Sequence, residues 1–476
     1  MIVYDEEHSG TPLIFGVLRK IHRLEPYLRK RVKIGIEEFP EVIDKIEKLT
    51  YTNVVVIPLA QLETKGENII DIRRDVTYVP FPGSKVYKIK NGDLISKLLL
   101  KTIKNRGKPI ILGNHKYSKK IKIPLDPTYI QYHIGVFAAT GLGKSRLVKV
   151  LIDEIIEKTE YAVIVFDHTG MDYAPFYPDS TIRSYEIELD PMGIADFFLK
   201  KLRLNPQYYS TYMEAFAIEL KKKLAEFRKE LQLNQNNRQI LEQIRNKIAS
   251  MLKSTASRLG AKPDTQRNLE ERMKFFVDER ILEKMLLHRR YSASDIIDLA
   301  KEKKKQNKPL VIDLSFEETL EMKRSIVGNI IEAGWKWIFE RNFSSLEKKY
   351  EPINLVIVID EAQNYAWKSG YCQEQIERIA REGRKWKYSL IIVSQRLARS
   401  VDPDIRANIN TVFFSKLNQT SDLREIQDFA DITGIELSNL AQLVPREFYV
   451  AGLMNPLRKP IVIKVREVEE PVLQHG

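Results

Sequence analysis

The chain has 476 residues, room for about three domains, and its 30% charged and 43% hydrophobic residues mark a packed globular protein and exclude a disordered one. Its 77 Lys and Arg against 64 Asp and Glu leave a net charge of +13, which points to an anionic partner, nucleic acid first and an acidic membrane surface second. No apolar run approaches the ~18 residues of a transmembrane helix and no secretory leader is visible. The single cysteine, Cys372, excludes an internal disulfide and a multi-cysteine zinc site, so the expected location is the reducing cytoplasm.

Residues 1–123 alternate short β-like runs with turns. The runs are Leu13–Leu18, Arg31–Ile34, Asn53–Pro58 and Lys85–Ile89, and the turns are Pro82-Gly83, Asn91-Gly92 and Gly113-Asn114. This spacing predicts a small β-barrel, with one helix over 94–103. From about residue 130 the pattern changes to strand, turn, helix. Ile134–Ala138 reads as a buried strand, and the helix after it carries Leu147, Val148, Leu151, Ile152, Ile155 and Ile156 on one face. Further apolar runs fall at 161–166, 309–314, 355–359, 390–393 and 412–415, and they predict a parallel sheet covered on both faces. Residues 206–300 hold no strand signal and read as an α-helical insertion. Their alternating charges, as in Glu219–Glu230, fit solvated helix faces better than a nucleic-acid patch. β structure returns at 447–451 and 460–465. The expected architecture is therefore an α/β, RecA-like P-loop core in two parts, 124–205 and 301–476, with the barrel before it and the insertion between the parts.

Ala138-Ala-Thr-Gly-Leu-Gly-Lys-Ser145 fits the phosphate-loop pattern G-x-x-x-x-G-K-[ST] except that alanine opens it. A strand enters and an amphipathic helix leaves, as a phosphate cradle requires. Thr140, Gly141 and Gly143 let backbone N–H groups wrap an anion, and Arg146 follows in the helix's first turn. Lys144 is placed to reach the β- and γ-phosphates of ATP, and Ser145 to hold Mg²⁺. Asp360-Glu361 follows the strand 355–359. Asp360 is placed to hold Mg²⁺ and Glu361 to orient the attacking water, which points to ATP hydrolysis and away from nucleoside kinases. Gln395 ends the next strand at the carboxyl edge, where it can sense the γ-phosphate, and Asp167 lies on the same rim. Arg378, Arg381 and Arg384 lie three apart. They read either as a surface salt-bridge network with Glu377 and Glu382, or as a source of an arginine that completes a neighbour's site.

Taken together and in this order, the loop, Ile359-Asp-Glu-Ala362, Ile379-Ala-Arg-Glu-Gly-Arg-Lys385 and Ile392-Val-Ser-Gln-Arg396 resemble the HerA family of DNA translocases in the FtsK–HerA superfamily. The similarity covers most of the chain, including the barrel and the position of the insertion, and loops of this family often begin with alanine. The resemblance implies a hexameric ring that moves duplex DNA by hydrolysing ATP with Mg²⁺, with a NurA-like nuclease partner in DNA end processing and no membrane. It implies Lys144, Ser145, Asp360, Glu361 and Gln395 as ATPase residues, and Arg384 rather than Arg381 as the residue reaching a neighbour's site. Two positions depart from the family. Tyr132 precedes His133 where an arginine can stand, and Met171 follows Gly170 where an acid often stands. Arg396, Arg399 and Arg406 are candidate DNA contacts. The rival readings are a viral genome-packaging motor, a plasmid-transfer motor and a non-translocating ATP-gated ring that scaffolds a nuclease or defence effector.

Overall fold

The computed structural model of the protein describes residues 2–4, 12–24, 51–65, 68–81, 84–89, 92–103, 108–202, 209–233, 237–286, 290–343, 350–367, 370–398, 400–417 and 419–469. The strand expected at 31–34 lies outside them. Near the N-terminus, β1 (Ile2–Tyr4), β2 (Leu13–Leu24), β3 (Tyr51–Lys65), β4 (Asn68–Arg73) and β5 (Lys85–Tyr87) form an antiparallel sheet in the order β4-β3-β2-β1-β5. Among the described residues, the outer strands β4 and β5 do not pair with each other. Helix α1 (Gly92–Lys101) follows and buries Ile95, Leu98 and Leu99, the i, i+3, i+4 stripe of an amphipathic helix.

Among the described residues the second sheet has eleven strands. The elements up to the insertion are β6 (Gly113–His115), β7 (Ser118–Lys122), β8 (Ile134–Phe137), α2 (Lys144–Lys158), β9 (Ala162–Asp167), β10 (Thr181–Arg183) and α3 (Pro191–Lys201). Helices α4 (Tyr209–Leu233), α5 (Asn237–Arg258), α6 (Pro263–Phe276) and α7 (Glu279–Leu286) come next, and α8 (Ala293–Lys305) leads back to the sheet. The chain then runs β11 (Leu310–Asp313), α9 (Leu320–Phe343), β12 (Leu355–Ile359), α10 (Tyr371–Glu382), β13 (Tyr388–Ser394), β14 (Thr411–Phe414), β15 (Glu447–Gly452) and β16 (Ile461–Val465). The strand order is β10-β11-β9-β12-β13-β8-β14-β15-β16-β6-β7, parallel from β10 to β14 and antiparallel beyond. The hairpin β6–β7 therefore belongs to this sheet, although it lies in the first 123 residues.

Period-2 alternation explains why the central strands read as continuous apolar runs. In β12, Leu355, Ile357 and Ile359 enter one hydrophobic core while Val356 and Val358 enter the other. The first core also takes in α3, α9 and the helices of the insertion. The second takes in α2, α1 and Phe15, Leu59, Leu62 and Ile72 of the N-terminal sheet. Arg74 Nε donates to Pro456 O at 2.7 Å, and Lys459 Nζ donates to Pro58 O at 3.0 Å, which adds polar ties between the N-terminal sheet and the C-terminal strands.

Candidate active site

Strand β8 is wholly buried and delivers the chain to the carboxyl edge of the parallel sheet, between β13 and β14. The turn that follows needs left-handed backbone at Gly141 (φ +79°) and Gly143 (φ +86°), where a side chain would be strained. Gly143 is the N-cap of α2 with no side-chain cap, so first-turn N–H groups are left for an anion, and no acid in that turn repels one. Neighbouring strands pin the loop. Ala139 N donates to Lys416 O at 2.9 Å, and Arg446 N donates to Leu142 O at 2.9 Å. Ala138, where the pattern has glycine, is fully buried at the end of β8. Lys144 Nζ folds back onto the carbonyls of Ala138 (2.8 Å) and Ala139 (3.4 Å). Burial draws its pKa down, against the opposing pull of Glu361, Asp360 and Asp172.

The acid pair sits two strands away on the same edge. Asp360 is 3% exposed, and burial, followed by the charges of Asp172, Glu361 and Asp167, pushes its carboxyl well above the usual range. Glu361 adopts φ +46°, a conformation that costs a non-glycine residue about 1–3 kcal/mol and that the surroundings must hold in place. They do so through side chains. Gln395 Nε2 donates to Glu361 Oε1 at 3.1 Å, Gln363 Nε2 donates to Glu361 Oε2, and Ser394 Oγ donates to Gln363 Oε1 at 2.8 Å. Gln395 Oε1 accepts from Thr140 Oγ1 at 3.0 Å. Phosphate loop, amide and carboxylate thus form one hydrogen-bonded chain, possible because β13 lies between β8 and β12.

The loop after β9 contributes a residue that sequence reasoning missed. Ser145 Oγ donates to Asp172 Oδ1 at 2.5 Å. Carboxylate oxygens of Asp167, Asp172 and Asp360 lie within 4.8 Å of one another. Asp167 is saturated by backbone: its oxygens accept from the N–H groups of Thr169, Gly170, Tyr173 and Ala174 at 2.8–3.3 Å, so it ties its own loop down. The Tyr173 hydroxyl is fully buried and makes no hydrogen bond of good geometry, beside Ser145, Asp360, Asp172 and Asp167. A hydroxyl so placed over oxygen ligands fits a hydrated, hard divalent cation such as Mg²⁺. The signal for Asp172 was an acid five residues beyond a strand-ending acid. For Gln363 it was an amide two residues beyond Glu361.

Arg146 packs its guanidinium 4.9 Å from the Phe176 ring. The fold does not bring Arg384 into this site. It precedes β13, at the amino edge of the sheet, roughly 20 Å from Gln395 at ~3.3 Å per strand residue. There it is exposed, with its guanidinium 4.2 Å from the Tyr132 ring centre and no carboxylate partner among the described residues. Arg381 pairs with Glu377 and Arg378 with Glu382, so the salt-bridge reading holds for those two arginines only. Beside Tyr132, His133 is 2% exposed. Its Nε2 bonds Ala380 O at 3.1 Å and its Nδ1 accepts from Leu390 N at 3.2 Å, which assigns a neutral ring. Burial draws its pKa down to about 4. Of the candidate DNA contacts, Arg396 is exposed and Arg406 is ion-paired to Glu425, while Arg399 lies outside the described residues.

A phosphate loop at a helix N-terminus, an acid pair two strands away and an amide from the strand between them define a P-loop ATPase on a RecA-like α/β fold. Residues 110–333 match the family model for the helicase HerA central domain. The DNA double-strand break repair helicase HerA of Sulfolobus acidocaldarius is 27% identical over 366 residues, 74% of this chain and 67% of that protein. The HerA of Saccharolobus solfataricus is 25% identical over 419 residues, 83% of this chain and 74% of that protein. Among solved structures, VirB4 of Thermoanaerobacter pseudethanolicus aligns with a TM-score of 0.52 at 17% identity, covering 76% of this chain and 98% of that one, which is a likeness of fold. Over this central stretch the chain is similar to the HerA helicases, and it spans about two thirds of the length of the Sulfolobus acidocaldarius relative. No helix among the described residues is long and apolar enough to cross a membrane.

Proposed function

We propose that the chain couples ATP hydrolysis to movement along duplex DNA, as a ring of identical subunits. The observation that carries this reading is the continuous chain Thr140–Gln395–Glu361. It links the phosphate loop to the carboxylate best placed to orient water, which is what turnover needs and passive nucleotide binding does not.

In the proposed reaction, the N–H groups opened by Gly141 and Gly143 cradle the phosphates. Lys144 exchanges its carbonyl partners for phosphate oxygens, and Glu361 accepts a hydrogen bond from the attacking water and aligns it with the γ-phosphorus. Gln395 holds Glu361 and, through Thr140, registers whether the γ-phosphate is present. Ser145 and Asp360 would hold Mg²⁺, which supplies charge neutralisation at the phosphates. Arg384 cannot reach its own loop, so its role is assigned to the site of a neighbouring copy. Arg146 is assigned to the nucleotide, beside the loop.

Duplex DNA as substrate rests on the similarity to DNA double-strand break repair helicases and on the net charge of +13, which favours a phosphate backbone without sequence readout. Residues 1–123 are proposed as a barrel-like module for ring assembly and for docking a NurA-like nuclease, and residues 206–300 as a helical insertion. A triplex-displacement assay tests the movement. On a duplex carrying a third strand, the chain should release that strand with ATP and the Lys144→Ala variant should not. ATP consumption with the third strand left in place would remove translocation from the account.

A further inference from the structure

We propose that Asp172 is a positioning residue for the nucleotide-bound cation, acting through the hydroxyl of Ser145. The inference rests on the reading of the loop as a nucleotide site.

A serine hydroxyl has one proton and two lone pairs. Ser145 directs its proton at Asp172 Oδ1, 2.5 Å away, so its lone pairs face elsewhere, free to bind a cation. Without that acceptor the hydroxyl rotates, and the oxygen that should meet the cation is oriented only part of the time. Asp172 is itself fixed. Its other oxygen accepts from Thr169 Oγ1 at 3.2 Å, and the turn that carries it is tied by the backbone N–H groups on Asp167. Those bonds leave Asp167 no capacity for the role, whereas Asp172 reaches across to the first turn of α2. Met171, one residue earlier, is 81% exposed and takes no part.

A second observation points to a ligand at the same place. The Tyr173 hydroxyl is fully buried, makes no hydrogen bond of good geometry and lies beside Ser145, Asp172 and Asp360. A water carried on a cation held by Ser145 and Asp360 is the well-placed partner such a hydroxyl lacks. Asp172 and Tyr173 would then form the outer layer of the cation site, one orienting a ligand and the other receiving its hydration shell.

Outer-layer partners of metal ligands typically affect metal affinity about 10–100-fold. The test uses the full chain with two readouts: Mn²⁺ affinity of the ADP-loaded protein, by paramagnetic resonance titration, and ADP affinity in excess chelator. Asp172→Ala should weaken Mn²⁺ about 10–100-fold and leave chelator-condition ADP affinity unchanged. Asp172→Asn, which keeps a carbonyl acceptor, should lose less, and Met171→Ala should lose nothing. Wild-type Mn²⁺ affinity in Asp172→Ala, beside a wild-type chain that binds Mn·ADP, overturns this inference alone. An equal loss of metal-free ADP affinity in Asp172→Ala also overturns it, because Asp172 would then only shape the loop. A wild-type chain that binds no ADP in either condition overturns the nucleotide reading and this inference with it.

Discussion

Gln395→Ala removes the amide that joins Thr140 to Glu361. Gln363 still donates to the other carboxylate oxygen of Glu361, and Ser394 still braces Gln363. Glu361 therefore keeps one of its two side-chain supports while its backbone stays at φ +46°. A hydrogen bond to a charged group contributes about 1.5–3 kcal/mol. At about 1.36 kcal/mol per factor of ten, full loss of that support in the transition state slows turnover about 10–150-fold. Lys144 and the loop N–H groups are untouched, so nucleotide affinity should hold, the pattern of an interaction felt in the transition state and not in binding. Phosphate release at saturating ATP, measured beside ADP binding, separates the two. Gln395→Glu should be at least as slow, because it sets a second carboxylate against Glu361. Turnover at the wild-type rate in Gln395→Ala, or an affinity loss large enough to explain the whole rate loss, would refute the relay.

Two further outcomes are expected. Arg384→Ala should hydrolyse ATP about 10³–10⁵-fold more slowly, yet mixing it with Lys144→Ala should restore part of the activity at hybrid interfaces; exchange of subunits with no recovery removes Arg384 from the neighbour's site. His133 should make the protein acid-sensitive. Its folded pKa of about 4 lies below the ordinary 6.5, so the unfolded chain binds the extra proton, and this stability is complete above about pH 6.5 and lost as pH falls toward 4. Relative to His133→Phe, the wild type should lose about 2 kcal/mol between pH 7.5 and pH 5 in urea unfolding, and equal slopes would contradict a neutral buried ring.

The phosphate loop, the acid pair and Gln395 were legible in the sequence because each is a local pattern at the end of an apolar strand. Their mutual contact follows from strand order, which local patterns do not contain. Asp172 was not legible as a functional residue, since its reach to Ser145 depends on Asp167 gathering four backbone N–H groups into a turn. Strand β7, Ser118-Lys-Lys-Ile-Lys122, was missed because an edge strand with one buried residue carries no apolar run. Strand β10 has only three residues and pairs with β11 across more than a hundred positions of chain. Arg406 read as a loop cation, yet it meets Glu425 on a helix formed later in the chain.

In the proposed mechanism Glu361 drives ATP hydrolysis from a site organised by the phosphate loop. Single-turnover hydrolysis of bound Mg·ATP by Glu361→Gln tests it most directly, with nucleotide occupancy measured on the same sample. Occupancy should be full and the rate about 10²–10⁴-fold below wild type. A variant that is fully occupied and hydrolyses at the wild-type rate would contradict it.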